Sequence, residues 1–145
     1  MKKMYLLTVV IIGIITLIFI FYYTDENAIA SELLSSYGYE TADGIFSQEI
    51  FTLPQNFDKT MDDYNIIQMS QGYNLLPFKE KKCKKYTYKI TNVPYPLFAN
   101  IMFYRGKVIS ADILNPDLNG FILPLIHIKD LTKYQIPAKN EAVIP

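Results

Sequence analysis

The chain has 145 residues but no tryptophan, one cysteine (Cys83), one histidine (His127) and only six glycines. A single cysteine excludes an intrachain disulfide, and a single histidine leaves no histidine-built zinc site. The few glycines form no phosphate-cradling loop. Net charge is missing too, with 14 basic against 14 acidic residues. The basic residues are not interleaved with a readout motif, so no nucleic-acid partner is expected. Cys83 and His127 lie far apart and lack a third residue to orient them. No catalytic residue, metal ligand or cofactor-binding residue is therefore assigned, and no cofactor is expected.

What is present starts with an uncharged run from Met4 to Thr24, MYLLTVVIIGIITLIFIFYYT. As a helix rising ~1.5 Å per residue it would reach roughly 30 Å, the depth of a bilayer's hydrocarbon core. Lys2 and Lys3 precede it, while Phe19, Phe21, Tyr22 and Tyr23 gather at its far end as an aromatic belt would. The expectation is a single-pass membrane protein. Residues 1–3 are a cytoplasmic tip, 4–24 a transmembrane helix in the lipid bilayer, 25–130 an extracytoplasmic α+β domain and 131–145 a loose tail. The rival is a signal peptide cut after Ala28-Ile29-Ala30, but the apolar run exceeds the usual h-region and that cut would break a predicted helix. No cysteine follows the run at which a lipid could be attached.

Beyond residue 24 the charge is split. Residues 25–78 carry nine acids against Lys59 alone, and residues 79–145 carry eleven bases against five acids. The two parts can attract one another. Asp25 and Glu26 open a helix that carries Ala28, Ile29, Leu33, Leu34 and Tyr37 and stops at Gly38. Ile45 to Leu53 reads as a strand closed by Pro54. Phe57, Met61, Tyr64 and Gln68, with Ile67, make the stripe of an amphipathic helix that ends at Gly72. Lys82 to Thr91 is a strand with Lys84, Tyr86, Tyr88 and Ile90 on one side and Cys83, Lys85, Thr87 and Lys89 on the other. Phe98 to Tyr104 and Lys107 to Leu114 flank Arg105-Gly106 as a hairpin, and Phe121 to Ile128 adds an edge strand. The fold class is α+β, a small antiparallel sheet with one or two helices on one face.

Three pieces of the chain, in order, resemble a known family. They are Ser36-Tyr37-Gly38-Tyr39-Glu40, then Gln71-Gly72-Tyr73-Asn74-Leu75-Leu76-Pro77-Phe78 leading into Lys85 to Asn92, then Tyr104 to Ile113. Together they are similar to a bacterial domain of unknown function, family 4830, found in Clostridium-like Firmicutes. Members often carry two glycines before the aspartate of the last piece, where this chain has Ser110-Ala111. The resemblance implies a small anchored or exported domain and no activity or site residue. The last piece also resembles the hairpin of PepSY-type envelope modules.

Each chemical candidate has an ordinary alternative. Lysines around Cys83 would favour its thiolate, or Cys83 is a plain strand residue. His127 sits in an apolar run and reads as a packed side chain. Asp58, Asp62 and Asp63 crowd one turn and suit a helix start better than a calcium loop. Lys82, Lys84, Lys85, Tyr86, Tyr88 and Arg105 form a possible contact surface, for a protein or cell-wall partner. The same lysines would also guard an edge strand, and the tyrosines would also serve as core. The functional expectation is a non-enzymatic binding or interaction module of the cell envelope. The alternatives are a PepSY-like regulator of an envelope protease, docking through Arg105-Gly106, and a hydrolase using the acidic helix.

Overall fold

The computed structural model describes residues 5, 8–16, 25–117 and 120–134. Among these, no helix is long and apolar enough to cross a membrane. That overturns the single-pass span, and with it the placement in a cell membrane with the amino terminus cytoplasmic and the domain outside. The physical reason is that hydropathy measures an apolar run, whereas a span needs unbroken helix. Among the described residues the longest helical stretch of that segment is 8–16, roughly 13 Å against the roughly 30 Å required. The rest of the 4–24 segment and the tail from 135 lie outside the described residues.

Helix α1 spans Glu26–Ser36, capped by Asp25, whose carboxylate accepts from the N–H groups of Asn27 and Ala28 at 3.1 and 3.2 Å. These bonds satisfy donors that the first helical turn otherwise leaves open. The helix stops at Gly38, which takes a left-handed φ of +87°. A side chain there would also collide with Ile128, since a Cβ would stand 2.7 Å from its Cγ2. The second helix, α2, covers Lys59–Met69 and is capped by Asp58 through Met61 N–H at 2.9 Å.

Five strands form one sheet in chain order, all antiparallel: β1 (Ser47–Thr52), β2 (Lys82–Lys89), β3 (Phe98–Tyr104), β4 (Lys107–Leu114) and β5 (Ile122–Pro124). The antiparallel α+β sheet agrees with expectation. The helices do not share a face. Side-chain alternation along β2 sends Tyr86, Tyr88 and Ile90 into a core beneath α1, with Ala30, Leu34, Ala99, Ile101, Phe103, Ala111 and Ile113. It sends Cys83 the other way, into a second core with Leu53, Leu75, Met102 and Ile109, flanked by Phe57, Met61 and Tyr64 of the α2 side. Helix, sheet and helix thus make three layers, because the sheet is apolar on both sides.

Two departures from simple periodicity shape this arrangement. A bulge falls in the β3–β4 ladder, where Met102 faces Ser110 but Phe103 faces Val108, leaving Ile109 over. In α2 the predicted stripe does face the sheet, but the polar Asn65 joins it: Asn65 and Gln68 are its buried positions, with Met61, Tyr64 and Ile67 half-buried beside them. β5 pairs only with Asp112 to Leu114. Where it stops, Gln71 donates to Ala111 C=O at 2.8 Å, and Gln68 accepts from Ala111 N–H at 3.0 Å. Gln71 also accepts from Leu125 N–H at 2.9 Å. Polar helix residues complete the edge of the sheet there. Downstream, a 3-10 helix over Ile128–Tyr134 buries Leu131 in the first core.

Candidate functional site

α1 is shorter than the sheet it covers. Beyond its amino end, the corner formed by β1, β2 and the β3–β4 turn stays open as a groove of about 320 Å³. Glu26, Ile50, Lys82, Lys84, Phe103 and Arg105 line it. Each is placed by the elements above. Glu26 is the first residue of α1. Lys82 and Lys84 are alternate residues of β2, and Ile50 faces Lys84 across the β1–β2 ladder. Arg105 occupies the two-residue turn with Gly106, at φ +48° and +77°. Such a turn favours asparagine, aspartate or glycine at its first position, so arginine is held there against its own preference.

Glu26 is buried and fully partnered. Its carboxylate accepts from Lys84 Nζ at 2.9 Å, Tyr86 OH at 2.8 Å and Gly106 N–H at 3.2 Å. Lys84 is thereby neutralised. Lys82 and Arg105 make no ion pair among the described residues. The Arg105 guanidinium lies 5.3 Å from the Tyr104 ring centre. The groove therefore offers two uncompensated cations around the exposed Ile50, with the buried Phe103 ring as its floor.

Of the six residues expected to form a contact surface, the structure gathers three: Lys82, Lys84 and Arg105. Tyr86 and Tyr88 are core residues, 7% and 1% exposed, and they support the groove from below instead of touching a ligand. Burial pushes the Tyr86 phenol up to about 12, and its bond to Glu26 adds to the effect. Burial likewise raises Tyr88 to about 12, and its hydroxyl donates to Asn27 at 3.0 Å. Lys85 points to the opposite face, paired with Glu49 at 2.7 Å. Two long-range ion pairs, Glu26–Lys84 and Glu49–Lys85, join the acidic first part of the chain to its basic second part.

The other candidates resolve into structure. Cys83 is fully buried, and desolvation raises its thiol, the reverse of what the surrounding lysines suggest. Its side chain faces the core while the lysine side chains next to it face away. His127 is half-buried, and its Nδ1 lies 3.5 Å from Lys129 N–H. No cluster of metal-binding side chains exists among the described residues. Asp58 caps α2, and Asp63 pairs with Lys59 at 2.6 Å.

Sequence reasoning missed one polar cluster. On the α2 side of the sheet, Asp112 is 2% exposed. It accepts from Tyr64 OH at 2.7 Å and Asn100 Nδ2 at 2.8 Å, and Asn100 in turn accepts from Thr87 at 2.8 Å. Ser110 Oγ stands 3.2 Å from Tyr64 OH. Burial raises the Asp112 carboxyl above its usual range, while its two hydrogen bonds pull it back. An aspartate inside the apolar strand KVISADIL was the available signal. Ile50 carried none, since only the tertiary fold leaves it at an uncovered corner. No family model, no curated protein and no solved structure matches this chain.

Proposed function

We propose that this protein is a non-enzymatic binding module whose contact site is the groove at the amino end of α1. Its partner carries an anionic group beside an apolar one. The observation that supports this is the pairing of two cations without a carboxylate, Lys82 and Arg105, with exposed Ile50 above the buried Phe103 ring. Glu26 serves as an internal brace. It fixes Lys84, Tyr86 and the Arg105–Gly106 turn, so the groove is held in shape before anything enters it.

Anilinonaphthalene sulfonate, an apolar anion whose fluorescence reports binding, is a direct probe of the full chain. Saturable binding is expected, weakened about tenfold or more in the doubly charge-reversed variant Lys82→Glu/Arg105→Glu, because two attractions become repulsions. Equal affinity in both proteins would refute the assignment of the groove.

A further inference from the structure

We infer that the natural occupant is an extended peptide segment, alternating acidic and apolar side chains on one face, that adds to the open edge of β1 as a sixth strand. The inference rests on the groove being the binding site and goes beyond it by naming the partner's chemistry and conformation.

Two independent features meet at this corner. The first is the edge itself. Among the described residues β1 ends the sheet, and its one ladder is with β2. Leu53 N–H points inward, to Lys81 C=O at 3.1 Å. The alternation of an antiparallel ladder then directs the N–H and C=O groups of Gln48, Ile50 and Thr52 away from β2, where no described residue meets them. Sheet proteins usually guard such an edge with lysine, proline or a covering element. Here the strand SQEIFT carries one charge, Glu49, which is already paired with Lys85. Ile50, at the middle of the edge, is 51% exposed.

The second feature is charge. The side chains of Ile50 and Thr52 stand opposite Lys84 and Lys82 on the groove side of the sheet. A strand added ~4.8 Å beyond β1 would place alternate side chains beside Ile50 and Thr52. An apolar side chain there packs on Ile50. An acidic one two residues along passes over the small Thr52 to meet Lys82, and then Arg105. A second copy of this chain fits less well. β1 pairing with itself brings only Glu49 as an acid, on the wrong face and already matched, and leaves Lys82 and Arg105 without a counter-charge.

The probe is the acetylated peptide TVTETVTE, titrated into the full chain by fluorescence polarisation, with TVTKTVTK as the charge control. Hydrogen exchange of the Gln48, Ile50 and Thr52 amides is followed in parallel. The acidic peptide is expected to bind about tenfold or more tightly than the basic one, and to slow exchange at those three amides by about the same factor. Of two acidic peptides N-methylated at alternate backbone positions, the one whose methyl groups face β1 should lose binding while the other keeps it. If the acidic peptide binds but leaves the β1 amides unprotected, or both methylated peptides bind alike, strand addition is wrong and the groove assignment survives. If no peptide binds while anilinonaphthalene sulfonate does, strand addition again fails. If the sulfonate fails as well, both readings fall. Protection of the same amides without peptide, growing with protein concentration, would show that a second copy takes the edge and overturn the inference.

Discussion

Replacing Tyr64 with phenylalanine keeps the ring in the second core and deletes one hydroxyl. That hydroxyl is one of two donors to Asp112, at 2.7 Å, and the carboxylate is almost wholly buried. Lys85, whose charge acts on it, makes its own ion pair with Glu49. A hydrogen bond to a buried charged acceptor contributes about 1.5–3 kcal/mol, so Tyr64→Phe should cost about 2 kcal/mol near neutral pH. The loss has a direction in pH. Burial raises the Asp112 pKa, so the folded chain holds its proton to higher pH than the unfolded chain does. The group's contribution to stability is then fullest below the unfolded pKa of about 3.9, and falls as pH rises through the raised folded value. Tyr64 opposes that fall by stabilising the ionised form. Without it the folded pKa climbs further, and the deficit of the variant opens as the carboxylate ionises. Urea unfolding of both proteins, followed by circular dichroism, should show a gap of about 2 kcal/mol near pH 7 that shrinks below about 1 kcal/mol near pH 4. A gap of the same size at both pH values would refute the account, because it would mean that the hydroxyl acts through packing alone.

Three further outcomes follow from the same geometry. Arg105→Asn places a residue suited to left-handed φ before Gly106, and should raise stability by about 0.5–1 kcal/mol in thermal unfolding while weakening binding in the groove. No gain in stability would mean that the turn is not strained. Cys83, buried and with a raised thiol pKa, should react with a disulfide reagent only under denaturing conditions. Rapid labelling of the native protein would contradict its burial. Tyr86 and Tyr88, held near 12, favour the folded state below the unfolded phenol value and cease to do so above their folded one. Stability should therefore drop between about pH 10 and pH 12, with their ionisation coinciding with unfolding in an ultraviolet titration. Ionisation of every tyrosine near pH 10 with the fold intact would count against it.

Local signals in the sequence carried the elements but not their assembly. The hairpin is legible to the residue, 98–104 and 107–114, because Arg105-Gly106 interrupts two apolar runs of period two. The sidedness of β2 is legible for the same reason. Which layer covers each side is not, because a sheet apolar on both faces shows one alternation whether a second helix crosses over or stays. The contact face of α2 was legible from Met61, Tyr64 and Gln68, but the roles of Asn65, Gln68 and Gln71, which bind backbone groups, were not, because hydropathy gives no weight to an amide that completes a sheet edge. The groove was half visible. Lys82, Lys84 and Arg105 stood out as a basic group, but Tyr86 and Tyr88 share their strand and so looked like part of the same surface. The amino-terminal run carries the hydropathy of a span, yet among the described residues no helix is long and apolar enough to cross a membrane.

The bulge at Ile109 sets how β4 tolerates changes of length. Plain alternation from Lys107 would carry Asp112 across to the α1 side, opposite Ala99 among the aliphatic residues there. The supernumerary residue inverts the phase, so that the acid lies opposite Asn100 and within reach of Tyr64. Excising Ile109 would straighten the strand yet leave every later side chain in its present layer, while removing one buried side chain from the second core. Adding a residue between Ser110 and Asp112 would swap the layers and strand a carboxylate in hydrocarbon. Homologous chains that vary in length here should therefore be shorter by one at this point, and not longer beyond it.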